Sequence, residues 1–179
     1  ISGEKRFCQD AGARKVFWNV DVISDPTLQD HPLIITEGEF DAMVAIQCGF
    51  PRTVSVPDGA PAQALGDAET SKYSFLDNAP QALRNVREII LATDGDGPGV
   101  NLMNDLALRL GKARCKWVKY PRGCKDLNEA FIRYGQRGVT ETIARAQWFK
   151  VSGVYRMSEL PPIASATPHA IGMPGLDDH

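Results

Sequence analysis

Short apolar runs alternate with longer stretches in which apolar residues recur at helical spacing. The continuous runs predict buried strands at PLIIT (32–36), TVSV (53–56), REIILAT (87–93) and ARCKWVKY (113–120). The helical spacing predicts helices at EFDAMVAIQCG (39–49), VNLMNDLALRLG (100–111), LNEAFIRYG (127–135) and TETIARAQWF (140–149). Residues 72–86 are predicted to be partly helical and broken near Pro80.

The two ends of the chain differ from this alternating centre. Residues 1–30 predict a small β-rich part, with β segments at KRFCQ (5–9) and VFWNVDVI (16–23). Residues 151–179 are rich in Pro, Ala and Ser without periodicity, which is typical of an extended linker. Because strands and helices alternate over residues 31–150, we expect an α/β domain there, a mostly parallel sheet flanked by helices.

Composition restricts the class of protein without identifying it. The 179 residues are 43% hydrophobic and 23% charged, which is ordinary for a globular domain. The formal net charge of −2 means that nucleic acid would have to bind through local basic patches. The four cysteines form no CxxC pair, and the apolar runs are too short to cross a bilayer, so neither a zinc ribbon nor a membrane protein is expected. Since the chain opens at Ile1 without a methionine, we expect it to be a piece of a longer protein.

Acidic residues follow three of the predicted strands directly or in the next loop. Glu37 follows LIIT, Asp94 and Asp96 follow IILAT in the turn DGDGPG, and Asp126 lies in the loop after CKWVKY. Ligands of open α/β sheets bind at the carboxyl ends of the strands. Carboxylates that converge there suit Mg²⁺, and two such ions could stabilise the attacking and leaving oxygens of a phosphoryl transfer.

Each acidic element also has a plainer interpretation. Glu37 could be a charge favoured by the helix dipole, and Asp41 a solvated helix residue. DGDG could be a simple loop, and Asp126 could be the N-cap of the next helix. The occurrence of all three, in this order and each after a strand, favours the functional interpretation.

The motifs EGEFDA (37–42), DGDGPG (94–99) and KDLNEA (125–130) resemble the Toprim module of primases and topoisomerases. With SVPDGAP (55–61) and YSFL (73–76), residues 1–150 resemble primase-helicases of the Twinkle and phage bifunctional type. The tail is similar to the segment that joins such a primase to its ring helicase. No GxxxxGK[ST] motif occurs, so we expect no NTP-hydrolysing motor in this chain.

The resemblance implies a primase, an enzyme that makes RNA primers from NTPs on single-stranded DNA. Glu37, Asp94 and Asp96 would be catalytic and would bind Mg²⁺, or Mn²⁺ as a substitute, with Asp126 as a fourth ligand. Lys125, Asp58 and Asn128 would contact nucleotide or phosphate. Lys125 could instead be a solvated loop lysine, and Asp58 a residue that only forms the turn.

Basic residues near the amino terminus provide a candidate nucleic-acid contact. Lys5, Arg6, Arg14 and Lys15 are interleaved with Phe7, Phe17 and Trp18, an arrangement that could hold template or primer. The same pattern would suit a hairpin with one apolar and one charged face. The resemblance further implies a linked helicase domain, no membrane partner, and a location in the cytoplasm of a bacterial or phage-infected cell or in a eukaryotic organelle.

Two other functions stay open beside the primase. A Toprim nuclease would use the same carboxylates for cleavage, whereas a catalytically silent spacer would only bind DNA and position a helicase ring. A topoisomerase is disfavoured, because none of Tyr73, Tyr120, Tyr134 and Tyr155 has a distinctive setting.

Overall fold

The computed structural model describes residues 12–68, 70–151 and 153. Its centre is a five-stranded sheet in the order β2-β1-β3-β4-β5. The strands are β1 (Leu33–Thr36), β2 (Thr53–Ser55), β3 (Ile89–Ala92), β4 (Cys115–Trp117) and β5 (Gln147–Trp148). The first four run parallel and β5 pairs antiparallel with β4, which confirms the predicted mostly parallel α/β sheet.

Helices cover both faces of this sheet. They are α1 (Glu39–Gln47), α2 (Ser74–Asp77), α3 (Gly97–Leu110) and α4 (Leu127–Ala144), with shorter 3₁₀ turns between elements. Leu33 and Ile35 lie in one buried cluster with Leu102 and Leu106 of α3. Ile34 lies in a second buried cluster with residues of α1 and α4. Since successive strand residues point to opposite faces, these strands need apolar side chains at every position.

The helix prediction at the carboxyl end of the domain needs two corrections. The helices predicted at 127–135 and 140–149 are joined as α4, interrupted at Gly135 with φ 64° and ψ −164°. Residues 147–148 form β5 rather than the end of a helix, and Phe149 N–H donates to Cys115 O. The aromatic residues after Ala144 therefore extend the sheet, a pairing that helical periodicity cannot reveal.

The prediction of a β segment over residues 16–23 is wrong. Val20–Ile23 form a 3₁₀ turn, and Asn19 adopts the left-handed region with φ 60°, which ends any strand there. Only Trp18 makes a β bridge, to Ser55. The segment predicted at 5–9 lies outside the described residues, so the division of the chain at residue 30 stays a prediction.

The linker predicted over 151–179 also falls almost entirely outside the described residues, which include only 151 and 153 of it. Among the described residues, no helix combines the length and apolar composition that crossing a bilayer requires.

Candidate active site

Three loops meet at the carboxyl edge of the parallel strands. β3 lies between β1 and β4, so the loops that follow these strands are neighbours. Glu37 begins the loop after β1, Asp94 and Asp96 lie in the loop after β3, and Asp126 ends the loop after β4. Asp94 N–H donates to Glu37 Oε2 at 3.4 Å. The predicted convergence of these acidic residues at one edge is therefore present, and we call this set of four carboxylates the acidic rim.

Backbone donors hold the Glu37 carboxylate at the rim. Besides Asp94, Ala60 donates its N–H to Glu37 Oε1 at 3.2 Å. Just before it, the buried Thr36 hydroxyl donates to Gly38 O at 2.9 Å, which fixes the turn between β1 and α1. Burial raises the pKa of Glu37 above its ordinary value, and the nearby charge of Asp94 raises it further.

The DGDG turn is shaped by close packing of α3 on the backbone of Asp94. A Cβ atom at Gly99 would lie 2.1 Å from Asp94 O, so no other residue fits there without a shift of the backbone. Asp96 Oδ1 caps α3 by accepting from Gly99 N–H at 2.9 Å. The other Asp96 oxygen belongs to an exposed side chain and is available to a ligand.

The loop after β4 adds both a cation and a fourth carboxylate. Gly95 N–H donates to Lys125 O at 2.6 Å, which joins this loop to the DGDG turn. Lys125 Nζ lies 3.0 Å from Asp94 Oδ2 and 3.7 Å from Asp126 Oδ2. Asp126 Oδ1 accepts from Glu129 N–H at 2.6 Å, so Asp126 is the N-cap of α4 as the plainer interpretation expected. One Asp126 oxygen caps the helix while the other lies near the lysine, so the two interpretations are compatible.

The pKa values of residues at the rim reflect several carboxylates placed close together. Burial raises the pKa of Asp94, while the hydrogen bond and charge of Lys125 oppose that rise. The same contact with Asp94 raises the pKa of Lys125. Lys125 thus supplies positive charge where the carboxylates repel each other.

Asp41 is a further carboxylate behind the rim, and it is not solvated. Its side chain is 9% exposed, and its Oδ1 accepts from Asn128 N–H at 2.9 Å. Burial raises the pKa of Asp41 to about 6. The backbone of Asn128 therefore contacts Asp41 of α1. The phosphate contact predicted for its side chain stays a prediction.

The predicted nucleotide contact Asp58 and the predicted nucleic-acid contact Lys15 are ion-paired with each other. Lys72 Nζ donates to Asp58 O at 2.8 Å, and burial lowers the pKa of Lys72. Arg14 is exposed, and Lys5 and Arg6 lie outside the described residues. Phe17, two positions after Lys15, is 1% exposed and packs edge-to-face on Phe75.

Hydrogen bonds to Asp105 of α3 hold the segment between β2 and β3 in place. The buried Asp105 accepts from the N–H groups of Leu65 and Gly66 and from the Tyr73 hydroxyl, each at 2.8 Å. Asp105, Asp41 and Lys72 were not among the predicted site residues, because each acts through partners far away in the chain. An acidic residue on the apolar stripe of α3 is the one local signal that marked Asp105 as unusual.

A divalent cation fits the rim in the type and charge of the available donors. All four candidate ligands offer carboxylate oxygens, which hard cations prefer. Burial raises the pKa values of Glu37 and Asp94, and a cation beside them would favour their ionised forms. The side chains are not arranged as a closed cage: within residues 12–68, 70–151 and 153, no three His, Cys, Asp or Glu side chains form a group that could hold a metal ion. Mg²⁺ in proteins commonly takes one or two carboxylates and completes its coordination with water and substrate oxygens.

Comparison with known proteins agrees with the resemblance in the sequence. Residues 31–118 match the family model of the Toprim domain. The chain is 34% identical to the Twinkle homolog protein, chloroplastic/mitochondrial, of Arabidopsis thaliana over 165 residues, 87% of this chain and 23% of that protein. It is 35% identical to an Arabidopsis thaliana primase homolog protein over 80% of this chain and 44% of that protein. The chain thus spans less than half the length of either relative.

Among solved structures, a DNA primase domain from Pseudomonas aeruginosa has a similar fold. The TM-score is 0.55 at 17% identity, and the match covers 83% of this chain and 46% of that one.

Proposed function

From the premise that this chain carries a Toprim domain and is related to Twinkle-type and primase proteins, we propose that it is the primase domain of a replicative primase-helicase. It makes RNA primers from NTPs on a single-stranded DNA template. The observation that carries the proposal is the contact between Asp94 N–H and Glu37 Oε2, which joins the loops after β1 and β3.

The reaction is nucleotidyl transfer. The 3′-hydroxyl oxygen of the growing primer bonds to the α-phosphorus of an incoming NTP, and pyrophosphate leaves with the bonding electrons. The proton of the hydroxyl must be accepted at the same time. Glu37, whose pKa is raised by burial and by Asp94, is suited either to accept it or to bind an ion.

The rim carboxylates would hold the metal. Asp94 and Asp96 would bind the ion that carries the triphosphate, Glu37 a second one, and Asp126 would add a ligand. Mg²⁺, or Mn²⁺ in its place, would neutralise phosphate charge and polarise the reacting oxygens. Since Lys125 already bonds Asp94 Oδ2, it is well placed to meet a phosphate oxygen once a metal takes over that carboxylate.

Two further contacts with the nucleotide follow from the loops around the rim. Asp58 and Asn128 are proposed nucleotide contacts, and Arg14 and Lys15 are proposed contacts to the template. The Lys15–Asp58 ion pair would have to open or to present one of its partners to the nucleotide.

The partners implied are single-stranded DNA, NTPs, the RNA primer and a helicase domain in the same protein. The Twinkle homolog protein is named as chloroplastic/mitochondrial. That name favours an organelle as the location in a plant cell, while the cytoplasm is expected in a bacterial or phage-infected cell.

A primer-synthesis assay tests the proposal. The chain is incubated with single-stranded template, Mg²⁺ and labelled NTPs, beside Asp94→Asn/Asp96→Asn. Asparagine keeps an oxygen for the α3 cap and removes both charges. The matched control Asp30→Asn/Asp67→Asn removes the same charge at two exposed positions away from the rim.

Short RNA made by the parent chain and the control, but not by the rim variant, supports the primase. Shortening of the DNA would instead support a nuclease. DNA binding without either reaction would support a spacer, and both of these outcomes contradict the proposal.

A further inference from the structure

A second surface, next to the acidic rim, has the opposite charge. Residues 119–150 carry seven Lys and Arg against three Asp and Glu, in a chain whose formal net charge is −2. Lys119, Arg137 and Arg145 line an open groove of about 670 Å³ between α4 and the loop after β4. We call this cavity the basic groove. Positive charge is therefore concentrated on this side of the molecule.

The basic groove is built on the second half of α4. Arg137, Glu141 and Arg145 are spaced four residues apart, so they lie on one face of the helix. Tyr134 lines the same groove with 48% of its surface exposed. A Cβ atom at Gly138 would lie 2.5 Å from Tyr134 Cβ, so the glycine makes room for this ring. The groove thus combines cations with an accessible aromatic side chain.

The arginines of the groove are weakly engaged within the protein. Arg137 Nε lies 2.7 Å from Glu141 Oε1, and Arg145 Nη2 lies 3.5 Å from Glu141 Oε2. Their side chains are 88% and 80% exposed, and exposed ion pairs of this kind contribute little to stability. A phosphate oxygen can therefore replace or join Glu141 as their partner at small cost.

The basic groove lies next to the rim. Lys119 and Tyr120 line both the basic groove and a smaller cavity of about 280 Å³. That smaller cavity is also lined by Asp94 and Gly95 of the DGDG turn. The Tyr120 hydroxyl donates to Thr93 O at 2.9 Å, which fixes the shared wall. The basic groove and the cavity beside the DGDG turn are therefore neighbours on either side of one wall.

We infer that the basic groove binds the phosphate backbone of a single strand of nucleic acid that extends from the acidic rim. The inference rests on the proposed function, which places a nucleic acid at the rim. Lys119, Arg137 and Arg145 contact phosphates, and Tyr134 offers a ring for a base to stack on. Because phosphates carry no sequence information, the contact positions the strand and does not select its bases.

Binding of a fluorescein-labelled single-stranded DNA of mixed sequence, followed by anisotropy over a range of salt concentrations, tests the inference. In Arg137→Gln/Arg145→Gln, loss of two phosphate contacts should weaken binding about tenfold and reduce the salt slope by about 1.4. The loss should be the same for oligonucleotides of different sequence. Glu141→Gln should strengthen binding, because it leaves both arginines without their competing carboxylate.

The matched control is Arg84→Gln/Arg87→Gln. It removes the same charge from two exposed arginines just before β3, at the opposite end of the strands from the rim. An equal loss in this control would show a general effect of net charge and overturn the inference. Unchanged DNA binding in the groove variant would also overturn it, and binding of an acidic protein there would then be the better interpretation.

The outcome is separable from that of the proposed function. Asp94→Asn/Asp96→Asn removes the rim charges and leaves Arg137 and Arg145 intact. If the chain makes no primer but the groove variant still loses DNA binding, the groove inference stands and the primase proposal fails. Comparable thermal unfolding of all variants would show that binding differences do not arise from misfolding.

Discussion

The carboxylates at the acidic rim differ in the hydrogen bonds that they accept. Asp96 and Asp126 each cap a helix with one oxygen, whereas Glu37 accepts from two backbone N–H groups. Asp41 is buried behind them and takes no position at the rim surface. A sequence motif names these residues together, but only the structure separates the capping, positioning and exposed roles.

Asp41 should make stability depend on pH. Its folded pKa is about 6, above the ordinary value of 3.8, so between these values the folded state keeps a proton that the unfolded state has lost. Stability from this group is therefore present at acid pH and lost as pH rises towards 7. The difference between pKa values of 3.8 and about 6 corresponds to about 3 kcal/mol as an upper limit.

Asp41→Asn tests this directly, because asparagine can still accept from Asn128 N–H without a charge. Urea unfolding in EDTA should give the variant a free-energy advantage over the parent chain that is larger at pH 7.5 than at pH 4, by about 1 to 3 kcal/mol. A difference that stays constant across this pH range would contradict the burial argument.

At the scale of elements, the strands and helices that position the rim are the ones that the sequence predicts well. β1 and β3 are runs of apolar residues buried on both faces, and α3 has a regular apolar stripe. The local sequence pattern is enough to predict these elements, because burial alone determines which of their positions are apolar. The convergence of Glu37 and Asp94 depends on β1 and β3 being neighbours in the sheet, an order that the local pattern does not determine.

Elements at the margins of the domain were less predictable for a physical reason. VFWNVDVI alternates like a strand, yet Asn19 turns left-handed and its Nδ2 donates to Thr53 O at 3.0 Å. Gln147 and Trp148 follow a helix but pair with β4. Both outcomes are decided by partners distant in the chain, as is the hydrogen bonding of Asp105.

The junction between β3 and α3 should not tolerate a side chain at Gly99. Gly99→Ala would place Cβ against the backbone of Asp94, so α3 must move or the DGDG turn must open. We expect a loss of about 1 to 3 kcal/mol in the free energy of unfolding, with weaker Mn²⁺ binding. Urea unfolding and electron paramagnetic resonance of free Mn²⁺ measure the two effects.

Gly97→Ala is the matched control two residues earlier in the same helix. A Cβ atom there meets nothing within 4 Å, so we expect a stability change within about 0.5 kcal/mol. If the two variants behaved alike, the close packing of α3 on Asp94 would not be what shapes the turn.

At the scale of the whole molecule, the parallel sheet places opposite charges side by side. The carboxylates after β1, β3 and β4 form the acidic rim, and the loop and helix after β4 line the basic groove. A metal-dependent enzyme acting on nucleic acid needs this division, because cations must reach the carboxylates while the phosphate backbone needs its own positive partners. The fold class was predictable from sequence, whereas the groove was not, since its residues come from a loop and from a helix beyond a kink.

The central claim is that Glu37 and Asp94, in the loops after two neighbouring strands, both take part in binding divalent cation at the acidic rim. The most direct measurement is Mn²⁺ affinity, by electron paramagnetic resonance of the free ion, for the parent chain, Glu37→Gln, Asp94→Asn and the double variant. Each single variant should lose about tenfold in affinity. The double variant should depart from the sum of the two losses by about 1 kcal/mol or more, as expected for groups that contact each other. Unchanged Mn²⁺ affinity in Glu37→Gln, or losses that simply add, would contradict the account.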